Sequence, residues 1–259
     1  MIPKKIHYCW LSGEEVPLQL QECMNSWRKV MPDYEIICWD KNKFEIESVP
    51  FVAEAFKVKK WAFASDYLRL HALYTEGGIY LDSDVIIQKS LNAFLDYDFF
   101  TAVEYHKEIV TKENSLSRID DDGSIKDFFK KSGVPGIGLQ AAIIGSVKNH
   151  PFLKTCLDFY EKKHFILPDG KFFNEIIAPT ILANIAENFG FKYKDVRQEL
   201  GHKMIILPSD VFAGDISCVT DNSYAIHLCN GSWRTKPTKK QIIQNKCIKL
   251  LKSLIRLLK

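Results

Sequence analysis

Cysteine pairs are missing from this sequence, although it contains seven cysteines, at positions 9, 23, 38, 156, 218, 229 and 247. Their number is odd, they are scattered, and no two of them form a C-x-x-C motif. This pattern argues against a disulfide framework or a zinc cluster and indicates reduced thiols in a cytosolic compartment. No apolar run approaches the roughly 18–20 residues that a membrane span requires. The first residues, Met1–Lys5, also lack the apolar segment of a signal peptide, so we expect a cytoplasmic protein.

Acidic residues are absent from the C-terminal segment. From Arg234 onward there are nine basic side chains and no acidic one, whereas residues 1–233 carry 26 basic and 32 acidic side chains. The basic character is therefore local, which disfavours a nucleic-acid-binding domain. Residues 236–259 predict an amphipathic helix whose polar face is basic, as is typical of helices that lie on anionic membranes. The alternative is a terminal helix that packs on the domain or on a partner subunit.

Apolar strands alternate with amphipathic helices along the rest of the chain. With 46% hydrophobic and 12% aromatic residues over 259 positions, the composition excludes a mostly disordered protein. Alternating strands and helices predict an α/β fold with a mostly parallel central sheet in a single domain. Residues 106–135 are polar and lack a period, and we interpret them as a long loop or small lid. Residues 172–188 predict a helix with a kink at Pro179.

Two aspartates follow a short apolar strand, in the segment Gly77-Gly78-Ile79-Tyr80-Leu81-Asp82-Ser83-Asp84. At the end of a strand both carboxylates can reach one ion, and oxygen ligands suit Mn²⁺ or Mg²⁺, which often bind substrate phosphates as well. Asp82 and Asp84 therefore predict a site for a metal and a diphosphate, although such a pair can also simply end a hairpin.

An acid and an arginine lie three residues apart upstream of this motif. Asp66 and Arg69 share one face of a predicted helix that is otherwise apolar. As a structural feature they would form an ordinary salt bridge inside the helix. Because the surrounding helix predicts partial burial, we favour a functional role in which Asp66 binds sugar or ribose hydroxyls and Arg69 orients it or contacts phosphate.

Several segments together resemble a known family. They are Ile2–Trp10, Ser26-Trp27 with Pro32–Glu35, Ala64–Arg69, Leu73–Asp84, Ile144–Pro151 and His227 with Ser232-Trp233, in this order over residues 2–233. The chain resembles the glycosyltransferases that include the fungal initiating α-1,6-mannosyltransferase and bacterial capsular polysaccharide transferases, which are related to the sugar-binding region of large glucosylating toxins. The resemblance implies a GT-A fold over residues 1–235, a nucleotide-sugar donor, a divalent metal, and transfer with retention of configuration.

The resemblance also implies roles for individual residues. Donor-binding roles fall to Trp10, which would stack on the base, and to Asp66, Arg69, Tyr80, Asp82, Ser83, Ser232, Trp233 and Lys236. Asp82, Asp84 and His227 would bind Mn²⁺ or Mg²⁺. Glu104 and Asn174 are candidate acceptor contacts, and no residue is identified as a catalytic nucleophile or base.

These implications predict a hexosyltransferase with a nucleotide-sugar donor, a UDP-sugar being favoured. The acceptor would be a growing, lipid-linked surface polysaccharide, and the protein would lie peripherally on the inner face of the plasma membrane. Two alternatives stay open. A strand that ends in Asp-x-Asp is also similar to haloacid-dehalogenase-type phosphohydrolases, which would further need later Ser/Thr, Lys and Asp-Asp motifs at strand ends. The acidic run Asp120–Asp122 lies instead in a predicted polar loop. The other alternative is a non-catalytic module that binds nucleotide sugars.

Overall fold

The structure is a computed structural model that describes residues 1–130, 132–174 and 176–229. Eleven strands and six α-helices form the described part, together with short 3-10 turns. The helices are α1 (Leu18–Val30), α2 (Pro50–Lys57), α3 (Trp61–Glu76), α4 (Lys107–Lys112), α5 (Pro151–Glu161) and α6 (Ala178–Ala186). The strands are β1 (Lys5–Cys9), β2 (Glu35–Trp39), β3 (Gly78–Leu81), β4 (Val85–Ile87), β5 (Phe99–Tyr105), β6 (Ile137–Leu139), β7 (Ile143–Ser146), β8 (Gln198–Leu200), β9 (Met204–Leu207), β10 (Phe212–Ala213) and β11 (Ala225–His227).

The central sheet has the strand order β2-β1-β3-β7-β5-β9-β8, with β6 added beside β5. Strands β2, β1, β3, β5 and β9 run in one direction, and β7 and β8 run against them. This confirms the α/β class with a mostly parallel central sheet. The C-terminal ends of β1, β3 and β5 lie at the same edge of the sheet, where ligands gather in open α/β folds.

Side chains alternate between the two faces of this sheet and build a core on each face. Tyr80 and Ile144 pack with α2, α3, α5 and α6 on one side. Their strand neighbours Ile79 and Ile143 pack with α1 on the other side. Burying both faces explains why the central strands are apolar throughout rather than alternating.

Helix α3 ends at Glu76, and Gly77 is its C-cap residue. Gly77 and Gly78 have φ values of +67° and +116°. A Cβ at Gly78 would lie 2.8 Å from the backbone oxygen of Lys5. Glycine is therefore required there both by the conformation and by the close approach of β1 to β3.

One sequence prediction needs correction. Helix α6 begins only at Ala178, so Pro179 lies in its first turn and causes no kink, because proline needs no hydrogen-bond partner at that position. The polar segment 106–135 contains the short helix α4. Its acidic part, around Asp122, forms hydrogen bonds with the loop that contains Lys192 and Tyr193. Lys192 Nζ lies 2.7 Å from Asp122 Oδ2, and Tyr193 donates its backbone N–H to Gly123 O.

The predicted C-terminal helix, residues 236–259, and the predicted domain boundary at residue 235 lie outside the described residues. None of the helices in the described part of the chain combines the length and the apolarity needed to cross a bilayer.

Candidate metal and donor site

Asp82, Asp84 and His227 form a cluster at the C-terminal end of β3. One ligand atom from each of these three side chains lies within 4.8 Å of the other two. His227 Nε2 is 3.3 Å from Asp84 Oδ1 and 3.9 Å from Asp82 Oδ2. All three side chains are partly buried. The structure thus brings together the three residues that were predicted as metal ligands.

A turn and a strand pairing create this convergence. The two aspartates occupy a tight turn between β3 and β4, closed by the Val85 N–H donating to Asp82 O at 3.0 Å. Antiparallel pairing of β11 with β4 places His227 directly opposite Val85. His227 is separated from the two aspartates by more than 140 positions along the chain, and the register of β11 on β4 makes them neighbours.

Ser26 and Trp27 on α1 hold β4 in place. Trp27 is completely buried, and its Nε1 donates a hydrogen bond of 2.8 Å to the carbonyl of Val85. The hydroxyl of Ser26 accepts a bond from the Ile87 N–H at 2.9 Å. The Ser-Trp pair noted in the sequence therefore positions the strand that follows Asp84.

Arg69 is a buried cation behind the cluster. Its guanidinium lies 2.9 Å from Asp66 Oδ1 and 3.5 Å from Asp82 Oδ1. It also donates 2.7 Å and 3.2 Å hydrogen bonds to the carbonyls of Ala141 and Ser65. Burial raises the pKa of Asp66, and the Arg69 guanidinium opposes that rise. Arg69 thus links the helix carboxylate to the turn carboxylate.

Tyr80 supports Asp82 from within the sheet. Its side chain is 1% exposed, and its hydroxyl donates to Asp82 Oδ1 at 2.8 Å. The Arg69 guanidinium lies 4.8 Å from the centre of its ring. Residues two apart on a strand share a face, so the sequence already carried the signal for this contact. Such burial favours a positioning role for Tyr80 over direct contact with the donor.

The electrostatics of His227 depend on its two neighbours. Burial lowers the pKa of His227, but hydrogen bonds with Asp84 and Cys229 outweigh it, and the pKa lies well above 6.5. Two carboxylates and one imidazole are a donor set that divalent metal ions accept, so these residues fit a metal.

Three further predicted residues lie at or near this sheet edge. Trp10 follows β1, which pairs with β3, and its indole N–H donates to Glu14 O at 2.7 Å. Ser83 lies half-buried in the turn between the two aspartates. Glu104 lies near the end of β5, with His106 Nε2 2.9 Å from its carboxylate. Because β7 separates β3 from β5, Glu104 lies two strand spacings, or about 10 Å, to one side of the cluster.

Asn174 is not joined to this site by any contact among the described residues. It is exposed and lies in a surface cleft with Asp169, Lys171 and Phe172. Three predicted donor contacts, Ser232, Trp233 and Lys236, lie outside the described residues.

Two groups at the site were missed by the sequence analysis. The backbone oxygen of Ala141 accepts a hydrogen bond from Arg69, and Cys229 Sγ lies 3.3 Å from His227 Nδ1. A backbone acceptor cannot be predicted from residue types, whereas Cys229 is only two positions from His227, so its contact with the histidine could have been considered from the sequence.

Comparison with known proteins agrees with this site. Residues 17–101, which include both Asp66 and the aspartate pair, match the family described as the glycosyltransferase sugar-binding region containing a DXD motif. This part of the chain, about a third of its length, is thus similar to DXD-containing glycosyltransferases.

Individual relatives carry related descriptions. An uncharacterized glycosyltransferase, L373, of Acanthamoeba polyphaga mimivirus is 32% identical over 43% of this chain and 47% of its own length. Inositol phosphoceramide mannosyltransferase 2 of Schizosaccharomyces pombe is 26% identical over 65% of this chain and 41% of its own length. The chain thus spans less than half the length of these two curated relatives. Among solved structures, the galactosyltransferase LgtC with donor and acceptor sugar analogs overlaps 88% of each chain, at 14% identity and a TM-score of 0.45.

Proposed function

We propose that this protein transfers a hexose from a nucleotide-diphosphate sugar to a sugar or lipid-linked acceptor in a metal-dependent reaction that retains the anomeric configuration. The observation that carries the proposal is the convergence of Asp82, Asp84 and His227 within 4.8 Å. The two aspartates lie in the region that matches the family, and His227 lies on β11, which pairs with β4 in that region. A UDP-sugar is the favoured donor by resemblance to the family.

Asp82, Asp84 and His227 are the residues that would hold the ion. Carboxylate oxygens suit Mg²⁺ and Mn²⁺ alike, whereas an imidazole ligand suits transition metals better, so Mn²⁺ is favoured over Mg²⁺. When bound, the ion would act as a Lewis acid that neutralises the diphosphate leaving group.

The chain's own residues would bind and orient the donor. The Asp66 carboxylate, held by Arg69 at 2.9 Å, would accept hydrogen bonds from the ribose or the donor sugar. Tyr80 would act indirectly, because its buried hydroxyl fixes Asp82. Trp10 would stack on the base from the end of β1.

Other roles rest on the sequence alone. The segment with Ser232, Trp233 and Lys236 would close over the diphosphate, as the family resemblance implies. We assign no catalytic nucleophile or base. In a retaining transfer the acceptor hydroxyl would attack the anomeric carbon on the leaving-group side as the bond to phosphate breaks, and its proton would pass to the departing diphosphate. The enzyme would contribute positioning and electrostatic stabilisation. Glu104, whose carboxylate lies 2.9 Å from His106 Nε2, is the nearer candidate for an acceptor contact, and Asn174 stays a more distant candidate.

The first experiment is a thermal-shift screen of UDP- and GDP-sugars with and without Mn²⁺, followed by an assay of nucleotide release. We expect a donor that stabilises the wild type only with Mn²⁺ and is slowly hydrolysed. Asp84→Asn should abolish both effects without unfolding the protein, because it removes a ligand charge. Asp33→Asn, which changes an exposed aspartate paired with Lys4, is the matched control. An unchanged Mn²⁺-dependent thermal shift in Asp84→Asn would show that Asp84 is not a metal ligand and that the metal site is assigned to the wrong residues.

The two alternative functions predict different results. A binding module would give the Mn²⁺-dependent shift with neither transfer nor hydrolysis. A haloacid-dehalogenase-type enzyme would hydrolyse an aryl phosphate without any nucleotide. The position of Asp122, which pairs with Lys192 in a loop rather than standing at a strand end, disfavours this second alternative.

We further propose that the protein works at the cytoplasmic face of the membrane, on a lipid-linked polysaccharide. The basic amphipathic pattern of residues 236–259 supports this, and so does the lipid named in the descriptions of the inositol phosphoceramide mannosyltransferases among its relatives. Deletion of residues 239–259 should release the protein from anionic liposomes in co-sedimentation. Equal sedimentation of the two forms would rule out the anchor.

A further inference from the structure

Cys229 contacts the ring nitrogen of His227 that faces away from the aspartates. Its Sγ lies 3.3 Å from His227 Nδ1 and 3.1 Å from the carbonyl oxygen of Gly214. Gly214 follows β10, whereas His227 ends β11. The thiol therefore bridges the loop after β10 to the only non-carboxylate member of the cluster.

The partners of the thiol decide which way its proton points. A thiol has a single S–H donor, and a carbonyl oxygen can only accept, so the Gly214 contact takes the S–H. The sulfur then has only its acceptor function left for His227, whose Nδ1 must carry the hydrogen. In the neutral ring this leaves the lone pair on Nε2, the atom that lies 3.3 Å from Asp84 Oδ1.

This arrangement matches a general feature of metal sites. A histidine ligand nearly always donates its second ring N–H to a neighbouring acceptor, which fixes both the tautomer and the orientation of the ring. The usual acceptor is a carboxylate, a backbone carbonyl or water. Among the described residues, the acceptor at Nδ1 of His227 is the sulfur of Cys229.

We propose that Cys229 is a positioning residue of the metal site, which holds His227 in the tautomer and orientation that offer Nε2 to a divalent cation. The proposal rests on the function proposed above and adds a residue to it. The thiol itself does not bind the ion, because it lies on the opposite side of the imidazole ring.

The test is Mn²⁺ binding to the full chain, without any nucleotide, measured from the electron paramagnetic resonance signal of free Mn²⁺. Loss of a partner of a metal-bound histidine typically lowers metal affinity about 10–100-fold. We expect Cys229→Ala to weaken Mn²⁺ binding about 10-fold. Cys229→Ser should restore most of the affinity, because a hydroxyl can also donate to Gly214 O and accept from Nδ1. Cys218→Ala, which changes another exposed cysteine, is the matched control and should bind as the wild type does.

The outcomes separate this proposal from the one on which it rests. If the wild type binds Mn²⁺ and Cys229→Ala binds it equally well, the positioning role is wrong and the metal site stands. Equal losses in the alanine and serine variants would also overturn it, since only the alanine lacks the hydrogen-bonding group. If the wild type binds no Mn²⁺, both proposals fail. Thermal unfolding of each variant checks that a loss of affinity does not reflect a loss of fold.

Discussion

Replacing Arg69 with methionine should destabilise the protein strongly. The Arg69 side chain is 6% exposed, and its guanidinium pairs with Asp66 at 2.9 Å and with Asp82 at 3.5 Å. Methionine fills a similar volume but removes the charge, which leaves two partly buried carboxylates facing each other without a cation. Removing one partner of a buried ion pair costs about 3–5 kcal/mol.

A second loss adds to this effect. The 2.7 Å hydrogen bond from Arg69 to the carbonyl of Ala141 also disappears, and an unsatisfied buried acceptor costs about 1–3 kcal/mol. These terms overlap because one side chain makes all the contacts. We therefore expect the free energy of unfolding to fall by about 3–5 kcal/mol, toward the upper end of that range.

The assay is urea unfolding at neutral pH, followed by tryptophan fluorescence. Arg197→Met is the matched control, because Arg197 also lies 2.9 Å from a carboxylate, that of Glu199, but the two side chains are 52% and 71% exposed. An exposed pair contributes at most about 1 kcal/mol. The reasoning fails if the two methionine variants lose similar small amounts of stability, since Arg69 differs from Arg197 both in its burial and in its additional contacts with Asp82 and Ala141 O.

Two further predictions concern the core. His7 is buried and neutral, since Trp39 donates to its Nδ1 at 2.9 Å, its Nε2 lies 2.8 Å from Gly77 O, and burial lowers its pKa below 6.5. The unfolded chain therefore binds a proton that the folded one resists. Stability should fall as the pH drops below about 6.5, by at most about 1.4 kcal/mol per pH unit for this group. His7→Gln should flatten this slope in urea unfolding at pH 7 and pH 5, and identical slopes would contradict the assignment. Gly145→Ala would bring a Cβ to 2.0 Å from Phe100 Cε1. We expect it to cost about 1–3 kcal/mol by calorimetry. Gly201→Ala, whose Cβ would be 3.9 Å from its nearest neighbour, should cost much less, and equal costs would refute the packing argument.

The order of strands and helices was open to prediction because each element carries its own local signal. Helix α3 shows an apolar stripe and ends at Glu76, before Gly77, and the strand after it is short and apolar. The error at α6 arose where that local signal was ambiguous. An apolar run with a proline inside it predicted a long kinked helix, whereas the proline marks the first turn of a shorter one.

The sequence by itself determined the composition of the site. Its aspartate pair, the Asp66–Arg69 spacing and the late histidine were visible as residue types in a family-like order. Only the tertiary structure decided which of them meet, because the pairing of β11 with β4 and the burial of Arg69 between two carboxylates depend on contacts far apart in the chain. The contacts of Tyr80 with Asp82 and of Cys229 with His227 join residues only two positions apart, so the sequence already placed these residues close together, and the structure shows which atoms meet. Local sequence propensity determines where a helix or strand forms. A ligand cluster forms only where the register of the sheet brings separate strands and helices together.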